Sequence, residues 1–340
     1  MRGAGRHRRE FARIWSFLCL LAFVSGSFAQ SSNPSSAPPV PPKSTEAAPP
    51  GTDQPQSIQP QDSQSDGFVF KKKVEEVVLH AVVVDGQNRL ITGLTQNNFQ
   101  VFEDGQAQRI TSFRKEQVPI ALGIVIDNSS SMLPKRTKVN EAALRLVDAS
   151  QVEDQVFVVN FGDDAFLDQD YTQDIGKLRA ALDRVETRGS TALYDAIIAA
   201  TDHLNQSTPS QKKILLVETD GHDNASQATF QQVLHRLQQK NGPVLYTIAF
   251  AQDDAQGSAD RQALTALSTQ TGGAAFFPSS LDEVQSIATS IARDIRSQYV
   301  IGYRSSAPHK RGVYHSIQVR AQEGSAPLRV ATRAGYYSGD

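Results

Sequence analysis

Two rhythms of apolar positions run along this chain. From residue 74 to 113, short runs rich in β-branched side chains are cut by turn signals: "VVLHAVVV" before Asp85-Gly86, "RLIT" before Gly93, "FQVFE" before Asp104-Gly105, then "QRITSF". Such runs predict antiparallel strands. "VFEDGQAQRI" predicts a hairpin, because Asp-Gly tolerates the positive φ angles of a two-residue turn. From residue 120 the runs "ALGIVID", "QVFVVNF", "AFLDQDY", "KKILLVETD", "PVLYTIAF" and "AAFF" alternate with helical periods. The spacing of apolar residues predicts helices over 138–149, 175–185, 192–204, 230–239, 261–271 and 281–295. After residue 297 the β-type pattern returns in "QYVIGYRS", "YHSIQVRA" and "LRVATRAGYY".

Alternating strands and helices predict an α/β unit, doubly wound about a mostly parallel, Rossmann-like sheet with right-handed crossovers. Strands at both ends predict one small antiparallel β domain, sandwich-like, that clasps the α/β unit. The expected boundaries are 67–117 for the N-terminal strands of the β domain, 118–296 for the α/β unit and 297–340 for the C-terminal strands.

The first 66 residues follow neither rhythm. Five arginines precede an apolar stretch from 14 to 24 and the small-residue site "SFA" ending at Ala29, which reads as a signal peptide over 1–29. The alternative is an uncleaved N-terminal inner-membrane anchor, although the stretch is shorter than the roughly 20 residues that span a bilayer. Residues 30–66 are Ser, Pro and Gln with scarcely an apolar side chain, a composition expected to remain a disordered linker. The chain is therefore expected to be secreted or periplasmic, with no integral membrane segment after cleavage.

Charge and cysteine content narrow the function. The formal net charge is −2, and the leader holds five arginines against one glutamate, so the remainder is more acidic still. This argues against a nucleic-acid partner. The single cysteine, Cys19, lies in the leader, which leaves the mature chain without thiol or disulfide chemistry. Oligomeric state is not legible.

Three polar clusters are expected at the carboxyl ends of the parallel strands, where open α/β sheets bind ligands. Asp127, Ser129 and Ser131 follow "ALGIVI"; Thr191 opens a helix in "RGSTALYDA"; Asp220 ends "LLVETD". In an extended loop positions 127, 129 and 131 share one side, while Asn128 and Ser130 point away. Carboxylate and hydroxyl oxygens are hard donors, suited to Mg²⁺, Mn²⁺ or Ca²⁺ rather than zinc. Each cluster alone also fits a helix cap or a turn; their convergence is what points to a metal.

The constellation resembles the metal-ion-dependent adhesion site of von Willebrand factor type A domains, with its D-x-S-x-S run, separate Thr and separate Asp. The flanks, "VVVDGQNRLITGLTQNNFQVFEDGQAQRITSF" and "YVIGYRS" to "RAGYY", look like the bacterial secreted family called VWFA-related, acidobacterial type. The resemblance implies that Ser129, Ser131 and Thr191 hold an ion through hydroxyls, with Asp127 and Asp220 acting mostly through water. It also implies a protein partner whose Asp or Glu carboxylate completes the coordination. Ser130 stands where many relatives have Gly, and Asn98 where Asp is usual. No cofactor beyond the ion is expected.

No catalytic constellation accompanies the site. There is no G-x-S-x-G turn, and Lys135 follows Ser131 by four residues rather than the three of a Ser-Lys hydrolase. His222 is the histidine expected nearest the site, and reads as a solvated loop residue. Tyr194 and Asp195 either line a docking rim or pack locally. The chain reads as a metal-dependent binding module and not an enzyme; the alternatives are a structural envelope component with a vestigial site and a hydrolase.

Overall fold

The computed structural model describes residues 76–115, 118–151, 153–183, 189–207, 212–250, 254–307 and 310–339. The expected leader and linker lie outside these. Among the described residues no helix is long and apolar enough to cross a membrane.

The N-terminal runs form β1 (Glu76–Val84), β2 (Phe99–Glu103), β3 (Gln106–Gln108) and β4 (Ile110–Arg114). "RLIT" is not a strand; Leu90 makes only an isolated bridge to Val84. β2 and β3 pair as the expected hairpin, with Asp104 and Gly105 at φ 49° and 78°. The C-terminal runs form β11 (Tyr299–Arg304), β12 (Tyr314–Glu323), β13 (Ala326–Ala331) and β14 (Gly335–Tyr337). All join one antiparallel sheet in the order β3-β2-β12-β13-β1-β11-β4, with β14 on β12.

This is a single, nearly closed sheet and not the two packed layers of a sandwich. β1 is the reason: Glu76 to Ala81 pair with β11, and Val82 to Val84 then pair with β13, so one strand carries the sheet around a corner. β3 and β4 end the order on opposite sides although Arg109 alone separates them in sequence. Inside lie Leu79, Ala81, Val101, Tyr299, Ile301, Tyr303 and Tyr336. Asn98 serves here as an amide: its Oδ1 accepts from Thr95 N, and its Nδ2 donates to the Gln322 carbonyl, which an Asp carboxylate could not do.

Between these strands runs a six-stranded sheet containing β5 (Ile120–Asp127), β6 (Gln155–Phe161), β7 (Ala165–Thr172), β8 (Lys212–Thr219), β9 (Val244–Ala249) and β10 (Ala275–Phe276), ordered β10-β9-β8-β5-β6-β7. Only β7 is antiparallel, paired to β6 across a tight connection. The helices are α1 (Arg136–Asp148), α2 (Ile175–Asp183), α3 (Leu193–Ser207), α4 (Phe230–Leu237), α5 (Ala255–Thr271) and α6 (Val284–Arg296). Leu122, Ile124 and Ile126 face α1, α2 and α6; Ala121 and Val125 face α3, α4 and α5. Every side chain of β5 is buried, so the strand alternates between two cores instead of between core and water.

Helix ends shift from their expected positions where caps override periodicity. α5 begins six residues early, because Asp254 accepts from Gly257 N and starts a turn that has no apolar stripe. The segment 281–283 is a 3₁₀ turn, and α6 proper starts at Val284.

A buried polar layer lies where β5, β6 and β8 end. The Arg136 guanidinium donates to the Asp127 carbonyl, the Asn128 side chain and Asn160 Oδ1. Neither carboxylate oxygen of Glu218 finds a partner among the described residues. Burial pushes its carboxyl up to about 8, a shift that the nearby Arg136 charge only partly opposes.

Two predictions follow from this packing. At Gly123 an added Cβ would come within 2.4 Å of Phe157 Cζ and 2.7 Å of Leu215 Cδ2. Gly123→Ala should therefore cost about 1–3 kcal/mol in urea denaturation, and an unchanged midpoint would contradict the close β5–β6 packing. The second concerns Glu218. The folded state keeps a proton that the unfolded chain releases near 4.5, so in chelator stability should fall as pH rises from about 4.5 to about 8. Glu218→Gln should flatten that slope and raise the midpoint at pH 8; an identical pH profile would refute the shift.

Candidate metal centre

Strand β5 carries Asp127 to the carboxyl edge of the sheet, where it is fully buried. Its Oδ1 accepts from Ser129 N at 2.8 Å and its Oδ2 from the Thr219 hydroxyl at 2.7 Å. Burial raises the carboxyl above the usual range; these hydrogen bonds oppose the rise, and the Asp220 charge adds to it. By that bond Thr219 links the ends of β5 and β8, and its hydroxyl oxygen also accepts from Gly221 N.

The chain then turns into a 3₁₀ segment, Ser130–Lys135. Ser129 is buried and Ser131 exposed, with their hydroxyl oxygens 3.0 Å apart. Asn128 turns inward to Arg136, and Ser130 is exposed. Lys135 reaches back to Asp220, Nζ to Oδ2 at 3.1 Å, and its second bond goes to the Ser131 carbonyl, not the hydroxyl.

Thr191 is buried just before α3. Its N–H donates to Asn224 Oδ1 at 2.9 Å, and its carbonyl accepts from Asn224 N and Ala225 N. The loop after β8 thus holds the threonine in place. Asp195 stabilises the same loop by accepting from Gln227 N and Ala228 N, while Tyr194 meets Phe230 edge to face. Both residues pack locally.

Ser131, Thr191 and Asp220 line one cavity of about 240 Å³, together with His222, Asp254 and Asp260. Ser129 joins this group through Ser131, and Asp127 through Ser129 and Thr219. His222 is exposed, its Nδ1 3.6 Å from Asp260 Oδ1. Asp254 and Asp260 were not among the residues singled out by sequence; the expected helix start at 261 hid the turn that carries them. Lys135, Thr219 and Arg136 were also missed as site residues, because nothing in their spacing shows which way they point.

The donor set fits a small hard cation. All five side chains offer oxygen, and an octahedral ion with bonds of about 2.0–2.1 Å places neighbouring ligand oxygens about 3 Å apart, which is the Ser129–Ser131 separation. Among the described residues no group of three or more His, Cys, Asp or Glu side chains forms a metal cluster. Any ion here would rest on hydroxyls as much as on carboxylates.

Residues 122–222 match the family model of the von Willebrand factor type A domain. No curated protein matches the chain. Among solved structures the chain is similar to the conserved hypothetical protein BatB from Bacteroides thetaiotaomicron, at 18% identity and a TM-score of 0.42 over 52% of this chain and 98% of that one. It is also similar to the vWF domain of the type V pili tip protein Mfa5 from Porphyromonas gingivalis, at 12% identity and a TM-score of 0.44 over 53% and 96%. A von Willebrand factor type A protein from Catenulispora acidiphila matches over 78% of this chain and 75% of its own, at 12% identity and a TM-score of 0.43. The match to the von Willebrand factor type A domain model thus spans β5 to the loop after β8, residues 122–222 of this chain.

Proposed function

We propose that the chain is a divalent-metal-dependent protein-binding module of the bacterial cell envelope or exterior, brought there by its N-terminal leader. Asp127, Ser129, Ser131, Thr191 and Asp220 would hold Mg²⁺, or Mn²⁺ or Ca²⁺, and an Asp or Glu carboxylate of a protein partner would complete the coordination. The observation that carries this reading is the paired hydroxyls of Ser129 and Ser131 beside a solvent-open cavity that also takes in Thr191 and Asp220.

Charge explains why the partner group should be acidic. The hydroxyls bring no charge, and the Lys135 ammonium already pairs with Asp220. A bound divalent ion would thus be poorly neutralised by the protein, and an external carboxylate would be its natural sixth ligand. Asp254 and Asp260 line the same cavity, so without an ion an acidic partner would meet like charge. Metal would convert repulsion into attachment.

What supports a binder over a hydrolase is the company Ser131 keeps. Its hydroxyl faces Ser129, and Lys135 bonds its carbonyl, so neither neighbour is placed to take the hydroxyl proton.

Calorimetric titration of the full chain with Mg²⁺, Mn²⁺ and Ca²⁺ tests the reading. One ion per chain should bind. Ser131→Ala, at an exposed position that leaves the fold intact, should weaken binding by about tenfold, the loss of one ligand to a charged centre. Asp127→Ala should abolish it. Equal heats from all three proteins, or partner capture that survives EDTA, would reject metal-dependent binding.

A further inference from the structure

The candidate metal centre contains a positive charge of its own. Lys135 is the last residue of the 3₁₀ segment Ser130–Lys135 and follows Pro134, whose ring fixes φ in the turn. Met132 before it is fully buried, and Arg136 after it donates to the Asp127 carbonyl. The backbone that carries Lys135 is therefore pinned on both sides.

The Lys135 ammonium bridges the two loops that supply candidate ligands. It donates to the Ser131 carbonyl at 3.3 Å, in the turn after β5, and to Asp220 Oδ2 at 3.1 Å, at the end of β8. It also lies 5.8 Å from the ring centroid of Phe250, whose N–H donates to the Thr219 carbonyl. The Lys135 side chain is 24% exposed and that of Asp220 13%, so water and salt screen this pair less than an ordinary surface ion pair.

The two carboxylates of the candidate ligand set are not equivalent. Asp127 gives one oxygen to Ser129 N and the other to the Thr219 hydroxyl. Asp220 accepts no side-chain hydrogen bond among the described residues except the one from Lys135. Other cations nearby point elsewhere: Arg136 serves the buried layer, and His222 stands beside Asp260. Asp220 is thus the carboxylate with negative charge to offer an ion at the cavity, and Lys135 already neutralises it.

We propose that Lys135 competes with the divalent ion for Asp220 and so keeps the metal affinity of the partner-free protein low, an inference that rests on the metal-dependent function proposed for the same residues. Two cations that share one carboxylate repel each other. If the ammonium stays, the ion loses much of the attraction of Asp220; if it leaves, its own ion pair is lost. Either route weakens binding, and coupling between two such events is typically about 5–150-fold.

Full-length protein would be titrated calorimetrically with Mn²⁺ alone, and thermal midpoints would be measured in EDTA and at saturating Mn²⁺. Lys135→Gln, which removes the charge and keeps most of the side-chain length, should bind Mn²⁺ about tenfold more tightly than the parent. Its midpoint in EDTA should fall, because the link from the turn to the end of β8 is lost. At saturating Mn²⁺ it should equal or exceed that of the parent. Lys135→Arg, which keeps the charge, should leave the affinity near that of the parent. Lys138→Gln is the control for net charge: Lys138 is exposed, pairs with Glu141, and its loss should leave the affinity unchanged. Mn²⁺ binding by Lys135→Gln where the parent shows none would be the same result at its extreme.

Equal or weaker binding by Lys135→Gln, a midpoint lowered alike in EDTA and in Mn²⁺, or an equal gain in Lys138→Gln would overturn the competition and leave the metal centre standing. No Mn²⁺ heat from the parent or from Lys135→Gln would remove the metal centre and the competition together.

Discussion

The Asp127 carboxylate is the constraint on which the rest of the candidate site depends. One oxygen fixes the backbone of the loop that follows β5, through Ser129 N, and the other fixes the end of the adjacent strand, through the Thr219 hydroxyl. A buried acid is costly unless its oxygens are satisfied, and here both are. The same bonds hold Ser129 beside Ser131 and set the direction in which Asp220 leaves β8. Below them, Arg136 joins the Asp127 carbonyl and Asn128, at the end of β5, to Asn160 on β6, and with the Thr219 bond from β8 three strand ends share one hydrogen-bonded layer. The polar end of β5 is thus a scaffold for the candidate site.

That scaffold works because the strands beneath it have no freedom. β5 is buried on both faces, and Gly123 is the point where Phe157 and Leu215 close over it. Three helices cover each face of the sheet. The curled antiparallel sheet takes its strands from both sides of this unit, with β1 paired to β11 more than 200 positions away in sequence. The two sheets meet at the amino ends of β8 and β9, leaving the carboxyl ends to the candidate metal centre and a cationic cleft at the junction. Opposite charge characters therefore occupy opposite ends of one strand.

Legibility in sequence followed the range of the physics involved. Local signals read well: the continuous apolar run of β5, the Asp104-Gly105 turn, and the helical stripes of α1 and α6 all depend on residues a few positions apart. The curl of the β sheet did not read, because it depends on β1 changing partners midway, which no alternation encodes. The first turns of α5 were hidden because a cap, Asp254, and not an apolar stripe, starts them. At the candidate site, Asp127, Ser129, Ser131, Thr191 and Asp220 were singled out by spacing and by their expected place at strand ends. Lys135, Thr219, Arg136 and the rim acids Asp254 and Asp260 were not, since their roles come from side-chain directions set by packing. The cationic cleft escaped for the same reason, its residues being scattered from His80 to Arg333.

The central claim is that one divalent ion sits among the hydroxyls at the end of β5. Anomalous diffraction from crystals of the full chain grown with Mn²⁺ tests it most directly. The account predicts a single peak bonded to the hydroxyl oxygens of Ser129 and Ser131, with Asp220 adjacent. A peak on Asp254 and Asp260 instead, or none at saturating Mn²⁺, would contradict it.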